Sequence, residues 1–400
     1  PKPQTPNPKP RSSRRIDLFA VVNEMMCANI DGPHAHSAKG EEEPQRKANP
    51  RDSLKPLQKG GFFVSTCVGN IQFGIPPETV KDSMSMGVTV PEYYIIPREK
   101  FDWNDGISLM EFEFPVYYNY FLRKQTRTKF ICDEKTAEKI RVIFQETLLG
   151  PTDFTDFAND FAEGYTARPD IEKELTYFAR VPQRPEEVLH LEHFIEFLIF
   201  DAAGKVRIEG AAEDENVVIE QRGETFLLFE RGKFVCDFED SLYLNKNEYF
   251  VFKSLNGAGR IDFDPPAFGV TVLGGSHGFD CSGSTSGFIL WVNKKGIMVD
   301  PPPYSSKALR EMGVPASLID KLIISHCHAD HDAGAFHKLV DATPIDFIST
   351  PTILHSFLRK YSAVSQLPVS DLERLFNCRQ VRVGHPTLIN GAKFTFEYSF

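Results

Sequence analysis

Four side chains packed into six residues, His326, His328, Asp330 and His331 in the run His-Cys-His-Ala-Asp-His, have the composition of a metal site. Imidazole and carboxylate suit Zn²⁺, with Mn²⁺ or Fe as further candidates. On extended backbone His326 and His328, two residues apart, point the same way and can hold one divalent ion. Asp330 and His331 lie across the following turn, within reach of a second. Two ions about 3.5–4 Å apart bridge a water, lower its pKa towards neutrality and stabilise charge on the attacked centre. With 11 His in 400 residues, the spacing arises by chance on the order of one time in a thousand or less.

Such a cluster needs a rigid mount. The short apolar run Lys321–Ile324 reads as a buried strand that delivers the chain to His326. Upstream, Gly269–Leu273 is a β-rich run followed by a Gly/Ser-rich loop, Gly274–Gly287. Phe288–Val292 and Gly296–Val299 predict a hairpin around Asn293-Lys-Lys-Gly296. After Asp300-Pro-Pro-Pro303, Ser305 or Ser306 caps a short helix that ends at Gly313.

The rest of the chain carries no comparable constellation. Residues 1–60, rich in Pro, Lys, Arg and Glu, read as a disordered leader. Residues 61–262 read as an α+β domain with an antiparallel sheet, and 263–400 as the domain of the metal motif. The aromatic stretch Phe101–Lys124 predicts core strands, since no basic residues are interleaved as in a base-stacking surface. Asp133 caps a helix running to Leu149, stopped by Gly150-Pro151. Two hairpins follow: Phe194–Phe200 with Lys205–Glu209, and Phe226–Phe229 with Phe234–Phe238 around Arg231-Gly232. The sequence shows no internal repeat.

Composition narrows the function classes. A net charge of −10 argues against a nucleic-acid polymer as partner, which calls for a basic surface. No stretch approaches the eighteen uncharged apolar residues of a membrane span. Seven scattered Cys with no CxxC pair suit a reducing cytoplasm better than a disulfide scaffold. The chain begins with Pro1, without a secretory signal, and reads as a piece of something longer.

The stretch Gly269–Tyr398 resembles the first half of a metallo-β-lactamase domain, an αβ/βα sandwich, with HADHDAG (His328–Gly334) opening a helix. The resemblance implies that His326 and His328 bind the first metal, Asp330 and His331 the second, and that catalytic Asp330 orients the attacking hydroxide. Asp300 corresponds to a carboxylate behind the ligands, or simply ends a strand. GVTVLGGSHGFDCSGSTSGFILWV, MVDPP, SHCHADHDAG and LRKYSA narrow the resemblance to the cyclic-nucleotide phosphodiesterases of lower eukaryotes within that superfamily. FGIPPETVKDSM, EFEFPVYYNYFLRK and IRVIFQETLLGP resemble the region preceding the hydrolase in such proteins.

The implied substrate is cAMP or cGMP and the implied cofactors are two divalent ions. A third His, a bridging Asp and a final His are expected beyond residue 400, as are regulatory cyclic-nucleotide-binding domains, whose phosphate-binding cassette does not occur within 1–400. Thioester hydrolysis, RNA cleavage and a non-catalytic scaffold are the alternatives. Among the remaining histidines, His385 reads as a turn residue with a minor claim as a ligand, and His355 and His337 as packing residues. His277 either borders the substrate or is an ordinary loop residue.

Overall fold

The computed structural model describes residues 54–239 and 263–398, apart from 99–100, 103–106, 109, 124, 153, 182–183 and 342–344. Its frame is a pair of six-stranded sheets built to one plan. The first runs in the order β1 (Leu54–Pro56), β2 (Phe62–Thr66), β3 (Gly69–Phe73), β4 (Tyr93–Ile95), β5 (Thr128–Cys132) and β6 (Ile195–Ile199). Its first two pairings are antiparallel and the next three parallel. Helix α1 (Thr79–Ser85) makes the β3–β4 crossover. Helix α2 (Glu113–Tyr117) precedes β5, and α3 (Glu134–Phe144) follows it.

A four-stranded antiparallel sheet comes next: β7 (Lys205–Glu209), β8 (Asn216–Arg222), β9 (Thr225–Glu230) and β10 (Lys233–Glu239). It packs on the first sheet, with the Phe73 ring 5.4 Å from Phe226 and 5.0 Å from Phe238. The second six-stranded sheet is β11 (Phe268–Gly274), β12 (Gly287–Val292), β13 (Lys295–Val299), β14 (Ile319–Ile323), β15 (Asp346–Ser349) and β16 (Asn377–Gln380). Again two antiparallel pairings precede three parallel ones. Helix α4 (Ser305–Glu311) makes its first crossover, α5 (Ala329–Asp332) and α6 (Ala335–Asp341) precede β15, and α7 (Pro351–Ser365) follows it. Helix α3 packs on β5, α7 on β15 and β16, and the two helices on each other, so helices form the layer between the sheets.

The likeness between the sheets extends to single residues. Gly74 and Asp300 follow β3 and β13 in left-handed backbone, Glu78 and Tyr304 open α1 and α4 in the same conformation, and Gly87 and Gly313 close them. The intervals match as well. The chain therefore does contain an internal repeat, contrary to the sequence expectation. It is one of backbone geometry, which diverged side chains conceal.

Other expectations need correction. The first sheet is mixed; only β7–β10 is the expected antiparallel sheet. Phe194–Phe200 and Lys205–Glu209 do form strands around the turn at Asp201, but not a hairpin: β6 pairs in parallel with β5, while β7 pairs with β8. Of the described residues in the aromatic stretch Phe101–Lys124, only Phe101–Asp102 and Ile107–Ser108 form strands, a short antiparallel pair; residues 113–122 are helical, ending in a π-turn (Tyr118–Leu122). Pro115 denies a ladder hydrogen bond but fits a first helical turn. The cap of α4 is Tyr304, not a serine. β1 begins inside the expected leader, whose residues 1–53 lie outside the described ones.

The Asp133 cap holds, its carboxylate accepting the Thr136 N–H, although α3 passes into a π-turn (Gln145–Leu149) before Gly150. The hairpins β9–β10 and β12–β13 stand as predicted, the latter on the left-handed pair Asn293-Lys294. Among the described residues no helix is long and apolar enough to cross a membrane, and the six described cysteines are free.

Candidate metal centre

The strand that delivers the motif is β14, and its neighbour β13 supplies the support. Asp300, just past β13, bonds through its N–H to the Ile323 carbonyl at 3.0 Å. Its carboxylate accepts the Ser325 N–H at Oδ1 and the Ser325 hydroxyl at Oδ2, both at 2.7 Å. The carboxylate thus lies behind the loop and fixes the residue before His326, the first of the two readings of Asp300. Burial alone would raise its pKa; His331 and the two Ser325 donors outweigh burial and hold it below the usual value. Since the Ser325 proton is spent on Asp300, its oxygen accepts from His326 Nδ1, 2.9 Å away. That leaves Nε2 of His326 with the lone pair.

His328 is oriented from the other half of the chain. Its Nε2 lies 3.0 Å from the carbonyl of Thr147, in the π-turn after α3. A carbonyl only accepts, so Nε2 carries the proton and Nδ1 is left to hold a cation. The Tyr117 ring packs edge-on against the imidazole, 5.9 Å between centroids.

The motif residues cluster. The His326 ring centre is 4.8 Å from that of His328 and 4.2 Å from that of His331. His331 Nδ1 approaches Asp300 Oδ2 at 3.5 Å and its Nε2 approaches Asp330 Oδ2 at 3.6 Å. They are not drawn onto one point: among the described residues no three His, Cys, Asp or Glu side chains converge as a finished metal cage. The donor set nevertheless fits divalent ions. His331 Nδ1 is buried with only the Asp300 carboxylate facing it, at 3.5 Å, which leaves Nε2 as the atom for a cation.

Burial, with His328 and His331 alongside, pushes the His326 pKa down to about 3, so the ring is neutral, the form that ligates metal. Burial opposes charge on His331 too, but the Asp300 and Asp330 carboxylates outweigh it and raise its pKa. Burial raises the Asp330 carboxyl, with His331 and His328 pulling the other way.

A buried charge network under the loop escaped the sequence reading. Lys360 of α7 contacts Asp332 at 2.9 and 3.0 Å and Glu113 of α2 at 3.0 Å, and the Tyr361 hydroxyl also bonds Asp332. Burial disfavours the ammonium, but the two carboxylates more than offset this and raise the Lys360 pKa. The sequence signal for it is confined to LRKYSA and EFEFP, strings that carry the family resemblance but point to no role for any one residue.

His355, His385 and His277 make their hydrogen bonds elsewhere. His355 bonds Asp156 at 2.6 Å, His385 sits in a turn with its N–H on the Arg382 carbonyl, and His337 is buried in α6. His277 Nδ1 accepts the Phe279 N–H at 3.2 Å within the Gly-rich loop.

The sequence profile of the family described as Anti-Pycsar protein Apyc1 matches residues 268–397, the second sheet and the motif. Two curated proteins of Dictyostelium discoideum match far more. The cGMP-dependent 3′,5′-cGMP phosphodiesterase A is 32% identical, over 88% of this chain and 53% of its own length. The cAMP/cGMP-dependent 3′,5′-cAMP/cGMP phosphodiesterase B is 28% identical, over 85% of this chain and 34% of its own. The chain is homologous to cyclic-nucleotide phosphodiesterases over most of its length. It spans about half the length of the first relative and a third of the second.

Among solved structures, a diphosphatase of the PhnP family covers 32% of this chain and 54% of its own at 19% identity, with a TM-score of 0.24. A long-form RNase Z from yeast covers 91% and 54% at 12% identity, with a TM-score of 0.23. At those scores the fold rests on strand order and pairing alone.

Proposed function

We propose that this chain is the catalytic portion of a metal-dependent phosphodiesterase that hydrolyses 3′,5′-cyclic AMP or GMP, working in the cytoplasm. One observation carries the reading: the homologous chain brings His326, His328, Asp330 and His331 together at the end of β14, with donor atoms already selected by hydrogen bonds. When bound, a pair of divalent ions, Zn²⁺ before Mn²⁺ or Fe, lowers the pKa of a shared water and neutralises charge on the phosphoryl oxygens. The chain's own residues present His326 Nε2 and His328 Nδ1, with Ser325 and Thr147 holding the complementary protons. Asp330 contributes a carboxylate that accepts a proton or orients a water. Asp300 keeps the loop in place and balances charge on His331.

The αβ/βα sandwich of the metallo-β-lactamase superfamily is the architecture this reading assigns to the metal domain, supported by the mixed order of β11–β16 and the position of the motif after β14. Regulatory cyclic-nucleotide-binding domains belong to the longer protein in the same reading, in keeping with the word cGMP-dependent in the relative's name. The test is turnover of cAMP, cGMP, a thioester and RNA by the intact protein, with metal content measured alongside. Hydrolysis of a cyclic nucleotide, abolished by a chelator and restored by Zn²⁺ or Mn²⁺, is the expected result. Turnover of only the thioester or RNA, or a chain with less than one metal and no turnover, would sink it.

A further inference from the structure

We propose that the first half of the chain sets the geometry of the metal-binding loop, with Glu113 and Lys360 as its positioning residues. The inference rests on the metal reading of the loop and adds a role for residues outside it. His328 is flanked by one backbone acceptor and one backbone donor, the Cys327 carbonyl and the Ala329 N–H. Lys360 Nζ donates to the Cys327 carbonyl at 2.7 Å. Glu113 Oε2 accepts the Ala329 N–H at 3.1 Å. Lys360 and Glu113 are joined at 3.0 Å, closing a ring of hydrogen bonds that grips the backbone on both sides of His328.

These side chains are walled off from water: Lys360 is 5% exposed, Glu113 2% and Asp332 0%. A buried triad of two carboxylates and one ammonium is expensive to assemble, and replacing such groups by apolar residues is often neutral or stabilising. Packing alone therefore gives no reason for charge here. The hydrogen bonds do: they specify where Cys327 and Ala329 sit, and with them the imidazole of His328.

The two gripping residues come from different halves. Glu113 opens α2, at the place in the first sheet's plan where α5 opens in the second. There the first half carries Met110-Glu-Phe-Glu-Phe-Pro115 and no histidine. The half without a metal motif thus uses its equivalent turn to support the half that has one. The Thr147 carbonyl on His328 Nε2 is a second contact in the same direction.

The experiment is Zn²⁺ affinity, by competition with a chromophoric chelator, and the absorption spectrum of Co²⁺-substituted protein, for the intact wild type and for Glu113→Ala, Glu113→Gln and Lys360→Met. Loss of a partner that orients a metal-ligating histidine costs about 10- to 100-fold in metal affinity. That loss is expected for Glu113→Ala and Lys360→Met, with a changed Co²⁺ spectrum. Glu113→Gln keeps an acceptor for Ala329 while giving up the charge, and recovers much of the affinity and the wild-type spectrum. Should the alanine variant fail to fold, the glutamine variant decides: an affinity at least about 3-fold below wild type is expected, as partial retention of that effect. Wild-type affinity and spectrum in folded Glu113→Gln and Lys360→Met would overturn the inference. A wild type that binds no divalent ion would instead overturn the functional reading beneath it.

Discussion

His328 is the residue on which both halves act, and its substitution separates ligation from folding. His328→Ala removes one imidazole and one hydrogen bond to Thr147, so the sheets keep their packing. Metal content and cyclic-nucleotide turnover are expected to fall by more than about 100-fold, beyond what an outer partner of a ligand costs, while the circular dichroism spectrum stays that of the wild type. Full turnover would show the ligand assignment to be wrong. Glu111 tests the electrostatics of the same region. Its Oε2 accepts the Glu78 N–H at 2.7 Å, its Oε1 has no partner, and burial holds the carboxyl well above its ordinary value although that N–H pulls it down. A carboxyl raised in the folded state contributes stability that is fully present below the unfolded value and is lost as pH climbs through the folded one. Glu111→Gln removes that loss. The variant is expected to gain about 1–3 kcal/mol over wild type at pH 8 and markedly less at pH 4.5, as thermal melts at the two pH values would read. A difference independent of pH would contradict the assignment.

The turns between elements decide where these residues stand, and there the sequence was only partly readable. The helix at Asp133 and the hairpins β9–β10 and β12–β13 announce themselves through a carboxylate cap and paired turn residues, signals confined to a few neighbours. The runs that form β6 and β7 read as strands, but a turn such as Asp201-Ala-Ala-Gly204 says nothing about which sheet receives each strand, because pairing is settled by distant partners. The motif stands out in the sequence for a different reason: its candidate ligands lie within six consecutive residues. Gly334 shows how tightly the loop after the motif is seated. A Cβ there would meet the Ser305 hydroxyl at the start of α4 at 2.3 Å, and the Pro302 carbonyl at 2.6 Å and Pro301 at 2.8 Å in the segment joining β13 to α4. Two of those neighbours are backbone or ring atoms that cannot rotate away. Gly334→Ala is therefore expected to cost about 1–3 kcal/mol, the range for overpacking, and to weaken metal retention by pushing α5 off its seat. An unchanged melting temperature would mean that the segment yields more readily than its packing implies.

Across the whole molecule, the feature least visible in the sequence is the repetition of one half-fold. The trace was there, in Met86-Gly-Val88 and Met312-Gly-Val314 closing equivalent helices after equivalent prolines, but the residues between have diverged because each half buries different neighbours. One half carries the candidate ligands and the other carries Glu113 and the Thr147 carbonyl, so the candidate site is not complete within a single half. The same division governs stability. Glu146, whose side chain is 4% exposed, binds Arg359 of α7 through Nε at 2.6 Å and Nη2 at 2.9 Å. It also accepts the Ser356 hydroxyl at 2.6 Å. This carboxylate joins the end of α3 to α7 across the helix layer, one residue before Thr147. Glu146→Ala leaves the Arg359 guanidinium and a buried hydroxyl without that partner. Breaking a fully buried pair costs about 3–5 kcal/mol. Arg359 is 37% exposed and regains water, which lowers the expected cost to about 1–3 kcal/mol. Because the contact spans both halves and their apolar cores are continuous, the whole transition is expected to shift as one, seen by near-ultraviolet circular dichroism and calorimetry together. If the two probes instead separated into an early and a late transition, the halves would be independent folding units, and the control of the metal loop by the first half would lose its structural basis.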